Sequence, residues 1–253
     1  METSLFENIK NQYLSSGLEP NVFFDKIKKN YPLKKERKII KNILKESLPN
    51  EKKVYCKLYN IDIKDYKNKI KKDSIDWIIT DPPYPKKYLY LYEILSEMSS
   101  YALKETGGLI VMTGQSYIPE ILNLLSKHLN YVWTLAYLTP GGQSPYLWQR
   151  KCNTFWKPLF LFSKSKYKGD SFGDVIKTSA NNNDKNHHYW GQSVEGFDML
   201  IKKFTYPYQV ILDPFIGGGT TAIAALKNNR SCIGFDNDES CIKTAKMRIK
   251  NEL

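Results

Sequence analysis

The sequence predicts an α/β domain whose mostly parallel sheet is covered by helices on both faces. Short apolar runs rich in β-branched and aromatic residues recur from about residue 54 onward, and a stretch of helical periodicity separates each run from the next. Such alternation is typical of parallel sheets, in which ligands bind beyond the carboxyl ends of the strands. A chain of 253 residues has room for one such domain and a smaller appendage.

The predicted strands follow one another along the whole of this domain. In chain order they lie in the segments VYCKLYNID, DWIIT, GLIVMT, YVWTLAYL, PLFLFS, QVILDPF and SCIGFD. Two of these strands end in an aspartate that is followed by a proline, at Asp81 and at Asp213. We therefore expect the chemistry of the protein to take place at these two strand ends.

Residues 1–53 predict a basic helical appendage, and residues 54–253 form the predicted main domain. The appendage has 12 Lys and Arg residues against 7 Asp and Glu residues, with apolar residues at helical spacing among the lysines. The whole chain has a formal charge of +12, which is typical of proteins that bind polyanions but also arises from AT-rich codon usage. The appendage is therefore either a solvated helical surface or an arm that contacts nucleic acid.

The sequence has no pattern that indicates membrane insertion, export or metal binding. No stretch approaches 18 uninterrupted apolar residues, and the first residues lack the apolar core of a signal peptide, so we expect a cytoplasmic protein. The four cysteines lie far apart without CxxC spacing, and His187 and His188 have no third ligand at a metal-binding spacing. We expect reduced thiols and no metal site.

A glycine-rich loop, DPFIGGGTT at residues 213–221, follows one strand and precedes an alanine-rich helix. Its three glycines let the backbone turn tightly and approach a ligand closely. The next strand ends at Asp236, 19 residues after Gly217, where nucleotide-binding βαβ units place the acid that binds ribose hydroxyls. The loop has no Gly-Lys-Ser/Thr and no full GxGxxG, and Asp213 would repel a pyrophosphate. The pattern favours a nucleoside-bearing cofactor with a positive group.

The other strand end has the sequence TDPPY, residues 80–84. Prolines lack a backbone donor and fix φ, so the carbonyls of this turn stay available to a ligand. The Asp81 carboxylate and the Pro82 carbonyl are suited to accept hydrogen bonds from both N–H groups of an exocyclic amine. Tyr84 offers a flat face for stacking on a base that has left the duplex. The structural alternative is a Pro-Pro turn whose tyrosine caps the core.

Together, DPFIGGGTT and TDPPY resemble motif I and motif IV of the DNA amino-methyltransferases. The catalytic segment precedes the cofactor loop, as in the β group of that family, and the resemblance spans roughly residues 54–250. It implies a Rossmann-like, S-adenosyl-L-methionine-dependent methyltransferase fold and methylation of a flipped-out base in DNA, as in restriction-modification systems. With an aspartate, Asp81, at its first position, the turn resembles that of the adenine-N6 enzymes, since the cytosine-N4 enzymes more often have serine there.

Three alternatives to adenine-N6 methylation of DNA stay open at this point. They are cytosine-N4 methylation of DNA, adenine methylation of RNA, and a nucleic-acid-binding module that has lost catalysis. Protein glutamine methylation also uses a Pro-Pro-Tyr turn, but there the segment begins with Asn and follows the cofactor loop, unlike Asp81 here.

The resemblance also implies which residues form the site. The catalytic positions are Asp81, Pro82, Pro83 and Tyr84. The cofactor-binding positions are Asp62, Asp81, Ser193, Asp213, Pro214, Phe215, Gly217, Gly219, Thr220, Thr221, Asp236 and Asn237. Among these, Asp62 corresponds to the residue that contacts the cofactor adenine.

The loop at residues 139–158 combines glycines, Arg150, Lys151 and four aromatic residues. It is either a flap that contacts DNA or the extruded base, or a loop over packed aromatics. The DNA-binding candidates are Lys86, Lys87, Trp148, Arg150, Lys151 and Trp156. The 20 residues at 167–186 are too few for the target-recognition domain that the β group usually has. Specificity is therefore expected to be low, or to come from the N-terminal helices, this loop, the short insert or a partner protein.

Overall fold

The computed structural model describes residues 9, 12–13, 20–46, 54–140, 146–179 and 194–253. The chain divides into two compact units, Met1–Lys53 with Tyr206–Tyr208, and Val54–Thr205 with Gln209–Leu253. In the described ranges, no helix is both long and apolar enough to cross a membrane.

The smaller unit is helical. It contains α1 (Pro20–Ile27), a 3₁₀ helix (Lys28–Asn30) and α2 (Lys34–Glu46). Apolar side chains at helical spacing form a separate buried core, which comprises Ile9, Tyr13, Phe23, Phe24, Ile40, Ile43 and Leu44. The lysines between these positions, such as Lys35 and Lys38, are exposed. The unit therefore has its own hydrophobic core and a basic exterior.

In the residues that the structure describes, the larger unit contains ten strands. They are β1 (Cys56–Asn60), β2 (Ile75–Thr80), β3 (Leu103–Met112), β4 (Asn130–Leu138), β5 (Tyr146–Leu147), β6 (Cys152–Asn153), β7 (Lys157–Ser163), β8 (Val175–Lys177), β9 (Val210–Asp213) and β10 (Ser231–Asp236). Eight of them form one sheet in the order β1-β10-β9-β2-β3-β7-β4-β8, in which β7 alone runs antiparallel to its neighbours. Strands β5 and β6 form a separate antiparallel ribbon. The predicted mostly parallel sheet is confirmed.

Within the described ranges, five helices cover the two faces of this sheet. They are α3 (Tyr90–Ala102), α4 (Ile118–Leu125), α5 (Val194–Phe204), α6 (Thr220–Lys227) and α7 (Glu239–Glu252). Helices α3 and α4 pack into the buried cluster that contains Ile78, whereas α5, α6 and α7 pack into the cluster that contains Ile79. Successive side chains of a strand point to opposite faces of the sheet. Because helices cover both faces, β2 is buried at all six positions.

The order of the strands places the two predicted strand ends side by side. Strand β2 lies between β3 and β9, and Ile78 pairs with Leu212. Strand β10 flanks β9 on the other side, and β1 pairs only with β10 in the described sheet. The carboxyl ends of β2, β9, β10 and β1 therefore lie along one edge, where Asp81, Asp213, Asp236 and Asp62 follow them.

Candidate active site

The catalytic turn leaves β2 at Asp81 and folds its tyrosine back onto that aspartate. The Tyr84 hydroxyl donates a hydrogen bond to Asp81 Oδ1 at 2.5 Å. Burial, and next the negative charge of Asp81, raise the pKa of Tyr84 well above its usual value, so the phenol keeps its proton and remains a donor. The Asp81 carboxylate is thus held in place by a residue of its own turn. Pro82 is buried and Pro83 is half-buried between them.

Gly114, just after β3, allows the Tyr84 side chain to occupy this position. A Cβ at residue 114 would lie 3.2 Å from the Cβ of Tyr84, closer than most such contacts in proteins. On another side, Lys157 Nζ lies 5.6 Å from the centroid of the Tyr84 ring. Sequence reasoning missed both neighbours, because they come from strands that only the fold brings to the turn.

Asp213, at the end of β9, is 3% exposed and accepts three hydrogen bonds. Thr80 Oγ1 donates to Oδ1 at 2.6 Å, Thr221 Oγ1 donates to Oδ2 at 2.5 Å, and the amide of Phe215 donates to Oδ1 at 3.0 Å. Burial, together with a smaller contribution from the charge of Asp81, raises the pKa of Asp213 to about 6. The three hydrogen bonds act in the opposite direction and lower this pKa. The carboxylate joins the catalytic strand to the glycine loop.

The glycine loop turns where its sequence predicts that it should. Gly217 and Gly219 have φ values of +46° and +84°, a region that side chains rarely adopt. A Cβ at Gly219 would lie 2.9 Å from the Cβ of Ala245 on α7, whereas a Cβ at Gly217 would meet no atom closer than the Phe215 carbonyl at 4.0 Å. Gly219 therefore packs against a helix, and Gly217 leaves room for a ligand beside the turn.

Arg248 of α7 supports the same loop and was not predicted. It is 7% exposed, and its Nη1 donates to the Gly218 carbonyl at 2.9 Å and to Thr220 Oγ1 at 3.3 Å. The signal in the sequence was its position, because Arg248 lies on the helical face of buried Ile242 and Ala245. A buried guanidinium requires acceptors, and here the backbone of the loop supplies one.

Asp236 closes the loop from the end of β10. Its Oδ2 accepts a hydrogen bond from the Gly217 amide at 2.9 Å, and its Oδ1 accepts one from the Asp238 amide at 2.9 Å. On the neighbouring strand end, Asp62 Oδ1 accepts from the Lys64 amide at 2.9 Å and caps the 3₁₀ helix Ile63–Asn68. The two acids therefore follow adjacent strands of the sheet, since Asn60 pairs with Asp236.

The residues around the loop fit a nucleoside cofactor that has a positive group. Asp62 and Asp236 lie at adjacent strand ends, and the open space beside Gly217 admits a ligand, whereas Asp213, also predicted to bind the cofactor, is almost fully buried. Of the other predicted positions, Pro214 is buried in the turn, Phe215 is half-buried, and Asn237 is exposed. Ser193, predicted to bind the cofactor, and His187 and His188, predicted not to form a metal site, lie outside the described residues.

The β5–β6 ribbon presents an exposed tryptophan. Trp148 lies in the 3₁₀ helix Trp148–Arg150 between the two strands, is 83% exposed, and makes an edge-to-face contact with Tyr146 at 4.7 Å between ring centroids. Arg150 Nη2 donates to the Ser116 carbonyl at 3.3 Å, which ties the ribbon to the segment between β3 and α4. Lys151 and Trp156 are also exposed.

The remaining DNA-binding candidates, Lys86 and Lys87, lie in the 3₁₀ helix Lys86–Tyr88, directly after the catalytic turn. Both are exposed, and Lys87 Nζ lies 4.9 Å from the centroid of the Tyr88 ring. Among the described residues, no three His, Cys, Asp or Glu side chains are grouped so that they could hold a metal ion.

Comparison with known sequences identifies relatives of most of the chain. The DNA methylase family (N6_N4_Mtase) matches residues 75–247. The type II methyltransferase M.HpaI of Haemophilus parainfluenzae is 29% identical over 230 residues, which cover 75% of this chain and 72% of M.HpaI. The YubD protein of Escherichia coli (strain K12) is 36% identical over 200 residues, which cover 70% of this chain and 82% of YubD.

Solved structures show the same fold at lower sequence identity. M1.HpyAVI in complex with S-adenosylmethionine has a TM-score of 0.64 and 22% identity, and the match covers 77% of this chain and 98% of M1.HpyAVI. The cytosine-N4-specific PvuII DNA methyltransferase has a TM-score of 0.66 and 17% identity, with 77% and 86% covered. The predicted methyltransferase fold is confirmed. The chain belongs to the N6/N4 DNA methylase family, whose members methylate DNA with S-adenosyl-L-methionine as the methyl donor.

Proposed function

We propose that the chain transfers a methyl group from S-adenosyl-L-methionine to N6 of adenine in DNA. The observation that carries the choice of adenine is the aspartate at the first position of the catalytic turn, the residue that resembles the adenine enzymes. Tyr84 holds its carboxylate at the end of β2, next to the strand that leads into the glycine loop. Cytosine N4 is the second candidate, favoured by the likeness of the fold to the PvuII enzyme.

The strand ends on the side of β10 would hold the cofactor, whose positively charged sulfonium supplies an electrophilic methyl group. Asp236 is half-buried, and each of its oxygens can accept a further hydrogen bond beside the one from a backbone amide, which suits two ribose hydroxyls. Asp62 on the adjacent strand end would contact the adenine ring. The left-handed turns at Gly217 and Gly219 keep the backbone out of the space that the cofactor needs.

The turn after β2 would bind the target amine. An exocyclic amine is a weak nucleophile because its lone pair is delocalised into the ring. Hydrogen bonds from its two N–H groups to the Asp81 carboxylate and the Pro82 carbonyl would draw the nitrogen toward tetrahedral geometry and direct the lone pair at the methyl group. The ring of Tyr84, which has Gly114 and Lys157 as neighbours, would stack on the flipped base.

The base and the target length are tested by mapping modified bases in DNA from cells that express the chain. We expect N6-methyladenine in these cells and none in cells that express Asp81→Ala. The described part of the insert, residues 167–179, contributes β8 to the sheet, so few side chains remain to read base edges. We therefore expect a short target of about two to four base pairs when the protein acts without a partner, because each bidentate base contact discriminates by only about 1 to 3 kcal/mol.

Each other result of this mapping supports a different reading. N4-methylcytosine would reassign the base, and N6-methyladenine confined to RNA would reassign the substrate. A wild-type chain that modifies neither nucleic acid would favour a binding module without catalysis. A single strictly specified site of about six base pairs or more would show that residues 1–53 or the β5–β6 ribbon read sequence.

The β5–β6 ribbon is proposed as a DNA contact because an exposed indole lies beside two cations. We expect Trp148→Ala to weaken binding of a short DNA duplex by about 5- to 150-fold, since stacking on a base contributes about 1 to 3 kcal/mol. Cofactor affinity should stay unchanged. Fluorescence anisotropy with labelled DNA measures the first quantity, and calorimetry measures the second.

The matched control is Trp133→Ala. Trp133 is also exposed, at 51%, but it lies on β4 and donates its indole N–H to Asp174 at 3.2 Å, outside the ribbon. Its removal should leave DNA affinity within about twofold of the wild type. An equal loss for both variants, or none for Trp148→Ala, would exclude the ribbon as a specific contact.

A further inference from the structure

The carboxylate of Asp213 accepts hydrogen bonds from hydroxyl groups of two motifs that lie far apart in the sequence. Thr80, the last residue of β2, is 133 positions before Asp213, and Thr221 is in the first turn of α6. All three side chains are almost fully buried, at 3%, 1% and 1% exposure for Asp213, Thr80 and Thr221. The hydrogen bonds are short, at 2.6 and 2.5 Å, as expected for hydroxyls that donate to a charged acceptor.

We propose that Asp213 is a positioning residue that fixes the catalytic turn relative to the glycine loop through its hydrogen bonds to Thr80 and Thr221. This inference rests on the proposed function. Asp213 is almost fully buried and both of its oxygens accept hydrogen bonds from threonine hydroxyls, so it acts through the residues that it holds. Thr80 directly precedes Asp81, and the bond at Thr80 therefore fixes the point from which the catalytic turn departs. Thr221 and the Phe215 amide fix the loop on the other side.

Such a connection matters because methyl transfer requires two ligands to meet in line. The target amine is bound at the end of β2, and the methyl donor is bound at the ends of β9 and β10. A shift of about 1 Å between reacting atoms lowers a rate by about 100-fold even when both ligands stay bound. Backbone pairing between β2 and β9 extends only over Trp77 and Ile78. The hydrogen bond from Thr80 to Asp213 connects the two strands closer to the site.

Both threonine hydroxyls can donate to Asp213 only while its carboxyl group is ionised. Burial and, to a smaller extent, the neighbouring charge of Asp81 on the catalytic turn together raise the pKa of Asp213 to about 6. From β10, the thiol of Cys232 also interacts with the carboxylate: its contact with Cys56 and its burial raise the pKa of Cys232, and the charge of Asp213 adds a smaller increase. Below a pH of about 6 the carboxyl gains a proton, and a threonine hydroxyl must then reverse from donor to acceptor.

The sign of the expected shift follows from the same bonds. The hydroxyl of Thr80 lowers the pKa of Asp213, because it stabilises the charged form. Removing that hydroxyl should raise the pKa and move the acidic limb of the rate profile to higher pH. A residue that only fills space would lower the rate without moving this limb.

The test compares Thr80→Val, Thr80→Ser and Thr178→Val. Valine keeps the shape and removes the hydroxyl, and serine restores the hydroxyl. The control, Thr178, is likewise buried, at 4% exposure, but its hydroxyl donates to the Leu138 carbonyl beside the edge strand β8. The measurements are kcat and the KM for S-adenosylmethionine at pH values on both sides of 6, with circular dichroism to confirm folding.

For Thr80→Val we expect kcat to fall by about 10- to 100-fold at neutral pH, with the KM for the cofactor within about twofold of the wild type. Its acidic limb should lie at higher pH. Thr80→Ser should regain most of the rate, and Thr178→Val should behave like the wild type. If Thr80→Val fails to fold, Thr221→Val takes its place and should show the same shift of the limb.

An unmoved acidic limb, or a serine variant as slow as the valine variant, would overturn the positioning role. If the wild-type chain transfers no methyl group to DNA, the proposed function fails instead. In that case an NMR titration of the ¹³C-labelled Asp213 carboxyl tests the connection between Thr80 and Asp213 without any assay of methyl transfer. Equal pKa values in the wild type and Thr80→Val would refute it, whereas a higher pKa in the variant would support it.

Discussion

Asp81→Ala should lower the rate of methyl transfer by at least about 10²- to 10³-fold while the chain stays folded. The carboxylate is the charged acceptor nearest the proposed position of the amine, and an acceptor aimed at the transition state contributes most in a site that excludes water. Asp81 is half-buried at the mouth of the turn, so its removal opens no large cavity in the core. Single-turnover transfer of a radiolabelled methyl group, at saturating cofactor, measures this effect.

Two changes at Tyr84 separate the carboxylate from the residue that holds it. Tyr84→Phe removes the hydrogen bond to Asp81 but keeps the ring, and we expect only a mild loss of rate. Tyr84→Ala also removes the stacking surface and should act on binding of the flipped base. Near-normal turnover of Asp81→Ala would reject the mechanism. A phenylalanine variant as inactive as the alanine variant would show that the hydroxyl, and not the stack, is what Tyr84 contributes.

Asp236→Ala should weaken binding of S-adenosylmethionine by about 1 to 3 kcal/mol, or about 5- to 150-fold in Kd. The variant loses charge-assisted hydrogen bonds to the ribose hydroxyls. It also loses the bond that Asp236 accepts from the Gly217 amide, which holds the loop beside the cofactor. Isothermal titration calorimetry with the purified chain measures the affinity directly, without any need for the target sequence.

A matched control for this variant is available two residues later. Asp238→Asn removes a negative charge near the same strand end but keeps an oxygen to accept the hydrogen bond from the Ser240 amide, which caps α7. Its cofactor affinity should stay within about twofold of the wild type. Unchanged affinity in Asp236→Ala would remove Asp236 from the cofactor site.

The fold was predictable where the strands are long and apolar, and not where they are short. All seven predicted strand segments contain a strand of the main sheet. Strand β8, with three residues, and the two-residue strands of the ribbon show no periodicity to detect. Val175–Lys177 becomes a strand because β4 offers it an edge with which to pair, and a single sequence does not display that edge.

The site was predictable in its parts but not in its connections. The proline turn and the glycine loop have local signals, since their residue types impose particular backbone conformations. Thr80 and Gly114 have no such signal, because each matters through a partner that tertiary structure supplies, and the helical spacing of Arg248 does not reveal which loop it supports. The contact of Thr80 with Asp213 depends on the order of strands, which the local sequence does not encode.

The position of β1 at the edge of the sheet has a consequence for how the domain folds. Strand β1 is the first strand of the sheet along the chain, yet its partner in the sheet is β10, with Cys56 opposite Cys232. During folding, β1 therefore has no strand to pair with until β10 has joined the sheet, and this contact is highly non-local in sequence. The residue that would bind the cofactor adenine, Asp62, follows this strand directly. We expect cofactor binding to appear only in the last step of refolding, so that it would report on completion of the native sheet.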